Sequence, residues 1–197
     1  MKKIDIFLAL ISGLGLSFLA RGFLEGFLFY KKIEIFIFLI FPLLSVFGLW
    51  VSFLLGKKFA IFFQGGKFLL TGILATLCDL VVFKGLRFFL PLSFGWLIAS
   101  FKAVSFLVST FFKYWLNKFW AFEKKEKVGM GKEILKFYLV TILGMVFNVT
   151  IFYFFFALVG PLFNVPLTLW ETISVILAAI AVAAWNFLGY KIFVFEQ

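Results

Sequence analysis

KFLLTGILATLCDLVVF (Lys67 to Phe83) is echoed further along the chain as KFYLVTILGMVFNVTIF (Lys136 to Phe152). The overlay sets Lys67 on Lys136, Phe68 on Phe137, Ile73 on Ile142, Leu74 on Leu143, Phe83 on Phe152, and Asp79 on Asn148. A second echo lies downstream, where KYWLNKFWAFE (Lys113 to Glu123) returns as NFLGYKIFVFE (Asn186 to Glu196), bringing Lys118 onto Lys191, Phe122 onto Phe195 and Glu123 onto Glu196. Each copy therefore reads as a two-helix hairpin that leaves its apolar stretch through the same order of residue types. An even number of spans per copy makes the duplication a parallel rather than an inverted repeat.

Composition sets the solvent of those hairpins. The chain is 64% hydrophobic, 23% aromatic and 14% charged, with a mean hydropathy of +1.15, against about 25% charged for a soluble domain. This is the composition of an integral membrane protein. With no His and with Cys78 alone in an apolar run, neither a disulfide framework nor a Cys/His metal site is available, and no cofactor is expected.

Six apolar stretches follow one another: Ile4 to Ala20, Glu34 to Leu55, Phe68 to Leu90, Ser93 to Trp115, Ile134 to Val159 and Leu167 to Leu188. Each is long enough to span a bilayer, the first only just. A cleaved signal peptide is the rival for that first stretch, but Asp5 interrupts it and Phe18 stands three residues before its end, so the segment is expected to be retained. The spans predict a pair of N-terminal helices over 1–60 and a four-helix membrane domain over 61–197, with repeats at about 67–123 and 136–196. The fold class expected is all-α, a polytopic transmembrane bundle.

Orientation follows from the loops. One side carries Lys2, Lys3, Lys57, Lys58, Lys67, Lys113, Lys118, Lys124, Lys125, Lys127, Lys132, Lys136 and Lys191, while the other carries only Arg21, Lys31, Lys32, Lys84 and Arg87. Both termini are thus expected in the cytoplasm, in a multi-pass protein of the cell membrane. The net charge of +10 lies at membrane edges, which suits anionic lipid headgroups and not nucleic acid.

The duplicated hairpin, with Phe68 and Gly72 opening its first helix as Phe-x-x-x-Gly and a Lys-x-aromatic-x-Phe exit after the second and fourth helices, resembles the GtrA-like membrane proteins over about Phe62 to Gln197. The resemblance implies movement of a polyprenyl-phosphate-linked monosaccharide across the membrane for cell-surface polysaccharide decoration. It is also similar to the four-helix part that anchors some polyprenyl-phosphate mannose synthases. The chain departs from that pattern in carrying Lys113 at the first exit where the second has Asn186, and in adding two spans over residues 1–56.

A lipid-linked sugar needs cations and polar contacts along a route otherwise made of hydrocarbon. Asp79 lies 12 residues from Lys67, about 18 Å along a helix, and Lys102 lies 11 residues from Lys113, about 17 Å along its neighbour. They fall at similar depth, and two charges inside a membrane are least costly when they face each other. Gly95, Ala99, Lys102, Ser109 and Lys113 continue a small and polar track toward one surface. The second copy offers Thr141, Gly144, Asn148 and Asn186. Simple packing is the favoured account of the small residues, whereas for Asp79 and Lys102 packing and function weigh equally. Lys118 and Lys191, set among aromatics, have the look of interface anchors that snorkel to water, or else of lipid-phosphate contacts. Lys84 and Arg87 could serve the same purpose at the opposite surface.

The lipid-phosphate or sugar-binding candidates are therefore Asp79, Lys102, Lys113, Lys118, Asn148, Asn186, Lys191, Lys84 and Arg87. The expected function is translocation of a polyprenyl-phosphate sugar, without coupling to ATP because no GxxxxGK[ST] loop is present. The alternative is a membrane anchor for a separate glycosyltransferase, and a homo-oligomer is compatible with either. An enzyme is not expected, since no two carboxylates are spaced as an acid/base pair and Asp79 would act alone.

Overall fold

In lipid a chain must satisfy its backbone internally, so apolar stretches of this length form helices. The computed structural model describes residues 1–24, 30–90, 95–124, 129–162 and 165–195, without the side chains of 22–24, 30–32, 95–99, 102, 167–169, 171, 172 and 175. Among the described residues every long element is helical: α1 (Lys3–Leu24), α2 (Tyr30–Gly56), α3 (Ala60–Phe89), α4 (Gly95–Leu116), α5 (Met130–Tyr153) and α6 (Leu167–Gly189). Three π-helical turns extend them: π1 (Asn117–Ala121) after α4, π2 (Phe154–Val159) after α5 and π3 (Tyr190–Val194) after α6. Among the described residues five segments are long and apolar enough to cross a membrane, Lys3–Arg21, Ile33–Gly56, Ala60–Phe89, Met130–Val159 and Ile176–Val194.

The two exit motifs are the same local structure. Phe122 N–H donates to Asn117 O at 2.8 Å, and Phe195 N–H donates to Tyr190 O at 2.8 Å. Both bonds reach back five residues, as a π turn requires.

One boundary differs from the sequence expectation. α3 begins at Ala60, not Phe68, so Lys67 lies well inside it. Lys67 reads as a membrane edge because it is charged, but its charge is neutralised inside the fold.

By contacts the chain divides into two compact units, Met1–Lys125 and Glu126–Gln197. In the first, α1 packs on α2 and α3, α2 on α3, and α3 on α4. A Cβ on Gly13 would stand 2.3 Å from Pro42 Cα, so the backbones of α1 and α2 touch there. Ser17 Oγ ties the same helices by donating to Ile37 O at 3.1 Å. Ala9, Leu49, Leu70, Leu74 and Trp120 form the buried apolar cluster joining α1, α2, α3 and π1. Such close approaches supply the van der Waals contact that holds helices together where lipid removes the hydrophobic drive.

In the second unit α5 packs on α6. Gly144 admits the Asn186 side chain and Gly189 admits Val140. Trp185 Nε1 donates to Val140 O at 3.1 Å, and Phe137 stacks on Tyr190 with ring centroids 4.2 Å apart. Small residues do not always mark contact: a Cβ on Gly72 would meet nothing within 4 Å. Large apolar side chains such as Val81, Leu158 and Ile180 face outward, as a lipid-facing surface requires.

Candidate functional site

The polar centre of the first unit starts from the first turn of α1. Asp5 reaches back so that its Oδ2 accepts the Lys2 backbone N–H at 2.6 Å, while Asp5 N–H donates to Lys2 O at 3.0 Å. An acidic residue three places into a helix that caps its own N-terminus satisfies a free donor and complements the helix dipole. The remaining Asp5 oxygen, Oδ1, accepts Trp120 Nε1–H at 2.8 Å and stands 3.4 Å from Lys67 Nζ. Asp5 is 1% exposed and Lys67 is 1% exposed.

Lys67 has a second anion. Its Nζ donates to Glu123 Oε1 at 2.7 Å and lies 4.3 Å from the Phe63 ring centroid. Lys2 Nζ donates to the other Glu123 oxygen at 2.9 Å. Two cations and two anions thus form a neutral chain in the order Lys2, Glu123, Lys67, Asp5. The hydrogen bonds from Lys2 and from Lys67 hold the Glu123 carboxyl below the usual carboxylate range, and Glu123 in turn raises the Lys2 amine. The backbone at Glu123 is left-handed, φ 52, which costs a residue with a Cβ about 1–2 kcal/mol. Glycine would avoid that cost at a helix end. A glutamate there is held by its carboxylate contacts.

A second group of polar side chains lines the start of π1. Thr71, Tyr114, Asn117 and Lys118 are all buried. Lys118 Nζ donates to Tyr114 Oη at 3.4 Å, and Lys113 Nζ lies 5.6 Å from the Phe68 ring centroid. Thr71 Oγ1 lies 2.7 Å from Phe68 O and 2.9 Å from the Asn117 side-chain amide. One hydroxyl proton cannot serve two acceptors at once, so a full pairing has Thr71 donating to Phe68 O and the Asn117 amide nitrogen donating to Thr71. The second copy has a similar relay shifted by one position, since the overlay sets Thr71 on Val140 and Gly72 on Thr141. Thr141 Oγ1 donates to Phe137 O at 2.8 Å and lies 2.7 Å from Tyr190 Oη. In either orientation one buried amide atom of Asn117 keeps no hydrogen-bond partner, and the same is true of one amide atom of Asn186.

The sequence-derived candidates distribute as follows. Asp79, half-buried on α3, accepts from Ser105 Oγ of α4 at 2.6 Å. The Lys102 side chain lies outside the described residues, so the expected pair with Asp79 does too. Lys113 closes α4 beside the Thr71 group. Lys118 is fully buried, which overturns its expected role as an anchor snorkelling to water. Asn186 is buried against Gly144, Asn148 and Lys191 are half-buried, and Lys84 and Arg87 are exposed near the far end of α3. Glu196, the echo of Glu123, lies outside the described residues.

Sequence reasoning passed over Asp5, Lys67, Trp120, Glu123, Thr71 and Asn117 as site residues. Asp5 carried a signal, being an acid within an apolar run. The repeats are also unequal: Lys67 is buried where Lys136 is exposed, and Lys118 is buried where Lys191 is half-buried.

No curated protein and no solved structure matches the chain. A protein family described as the GtrA/DPMS transmembrane domain matches residues 67–195. The matched segment opens on buried Lys67 and closes on Phe195 at the second π-helical exit, leaving Lys2 and Asp5 outside it. Because the match takes in both repeat hairpins and well over half the chain, the protein belongs to the GtrA/DPMS transmembrane-domain family and is a multi-pass membrane protein.

Proposed function

We propose that the chain translocates a polyprenyl-phosphate-linked monosaccharide, with Lys113 and Lys118 meeting the lipid phosphate. The observation that carries this reading is Lys118, a cation with 0% exposure in a π turn beside Asn117, whose amide retains an unused hydrogen-bonding atom. π-helical turns recur at functional sites because they widen the helix and redirect side chains, and a buried cation in a membrane protein marks a polar route. The family match supports the substrate class. In this reading Asp79 and Lys102 form the midpoint of the route and Lys84 and Arg87 its other end, while Asn148, Asn186 and Lys191 line the second hairpin. Both termini face the cytoplasm, where the basic loops meet anionic lipid.

A second reading is a membrane anchor for a separate polyprenyl-phosphate glycosyltransferase, favoured by a family description that joins GtrA proteins with DPMS. Mass spectrometry of lipids that copurify in mild detergent tests the substrate class. A polyprenyl-phosphate hexose supports the proposal; bulk phospholipid alone, together with a stoichiometric transferase, favours the anchor.

A further inference from the structure

We propose that Lys2 and Lys67 form a phosphate-type anion site that Glu123 occupies as a built-in, displaceable substitute. The inference goes beyond translocation, because it assigns a binding role to Lys2 and Asp5, which lie outside the segment matched to the family.

The two anions on Lys67 are held very differently. Asp5 is 1% exposed and fixed by three partners, the Lys2 backbone N–H, Trp120 Nε1–H and Lys67 Nζ. The Glu123 side chain is 45% exposed and sits at the chain end of π1 on left-handed backbone, φ 52. Asp5 is therefore the permanent counterion and Glu123 the removable one. A carboxylate with one oxygen 2.7 Å from Lys67 Nζ and the other 2.9 Å from Lys2 Nζ occupies positions that two oxygens of a phosphate also fit. Charge-assisted bonds of this length suit either acid. Swinging the Glu123 carboxylate into solvent leaves two ammonium groups facing one opening. Asp5 meanwhile keeps Lys67 from being a bare buried charge. The Phe63 ring, 4.3 Å from Lys67 Nζ, covers one side of that ammonium group and so leaves the Glu123 side as the approach.

The test uses the full-length protein in detergent and in nanodiscs. Thermal stability is measured against inorganic phosphate, with chloride at matched ionic strength as control, and separately in nanodiscs with and without phosphatidic acid. Glu123→Gln removes the competing charge while keeping the side chain's shape, so its apparent affinity for the anion should rise about tenfold over the parent. Lys2→Met on the Glu123→Gln background, an exposed change with little risk to folding, should cancel most of that gain. A response to inorganic phosphate identifies a free-anion site, and a response confined to phosphatidic acid identifies a headgroup site. If Glu123→Gln responds to neither source more strongly than the parent, Glu123 is a structural partner of Lys67 only, and the proposal is wrong.

Discussion

Asp5 and Trp120, 115 residues apart in sequence, are joined by a 2.8 Å hydrogen bond from the indole N–H to Oδ1. The bond links the first turn of α1 to the π turn that ends the first repeat hairpin. The N-terminal helix is thereby a working part of the family domain's first half, because the same oxygen faces Lys67.

Asp5→Ala leaves Lys67 with Glu123 as its remaining anion in the chain of four charges and strands the Trp120 indole N–H. A loss of about 2–3 kcal/mol is expected. Trp120→Phe, which removes the donor and also shrinks a ring buried in the apolar cluster, should cost about 2–3 kcal/mol. Thermal unfolding in detergent reads both, and equal stability of Asp5→Ala and the parent would mean that the buried pair contributes nothing.

Glycine positions give a paired prediction about helix contact. Gly13→Ala places a methyl 2.3 Å from Pro42 Cα, and since backbone cannot yield as a side chain does, α1 and α2 must separate at a cost of about 1–3 kcal/mol. Gly72→Ala meets nothing within 4 Å and should be neutral or slightly stabilising, because alanine favours the helix. Comparable losses at both sites would contradict the packing described.

The Lys2 and Glu123 pair sets a pH window. With its carboxyl held below the ordinary value of 4.5, Glu123 contributes stability that is complete above that value and lost as pH falls through the lowered one. The Lys2 amine is raised above 10.5, so its contribution is complete below that value and lost as pH rises through the raised one. The contribution of this pair should be flat between these limits, and Glu123→Gln should flatten the acid limb. Both side chains are largely exposed, so the change is small. An unchanged acid limb in Glu123→Gln would remove Glu123 as its cause.

The Thr141 relay is testable by a double-mutant cycle. Thr141→Val takes away a hydrogen-bond partner of Tyr190 Oη, which is 2.7 Å away on a fully buried residue, and should cost about 1–3 kcal/mol. Tyr190→Phe on that background removes the hydroxyl that lost this bond and should recover part of the loss. Additive losses would show that the two hydroxyls do not interact.

Much of the fold was legible because lipid permits few solutions: apolar runs must be helices, and the repeated exits announced two equivalent turns. That those exits are π turns was not legible, since the sequence gives residue types and not the extra residue in the hydrogen-bonded loop. Lys67 was misplaced for a physical reason. Hydropathy treats a lysine as a boundary, whereas this one is buried by Asp5, more than sixty residues away, and by Glu123. Asn117 gave no signal because an amide in an aromatic exit motif resembles any interface polar residue. Lys118 was singled out correctly as a residue, but its burial depends on Tyr114 and the π turn.

Translocation itself is read most directly in proteoliposomes loaded with a short-chain polyprenyl-phosphate hexose, by following how much lipid becomes protected from an external probe. The parent protein should exchange the lipid between leaflets faster than empty vesicles, and Lys118→Met should slow exchange at least tenfold while unfolding at a temperature close to the parent's. No exchange above the empty-vesicle rate by the folded parent, or full exchange by folded Lys118→Met, would contradict a route for lipid phosphate past the buried lysine.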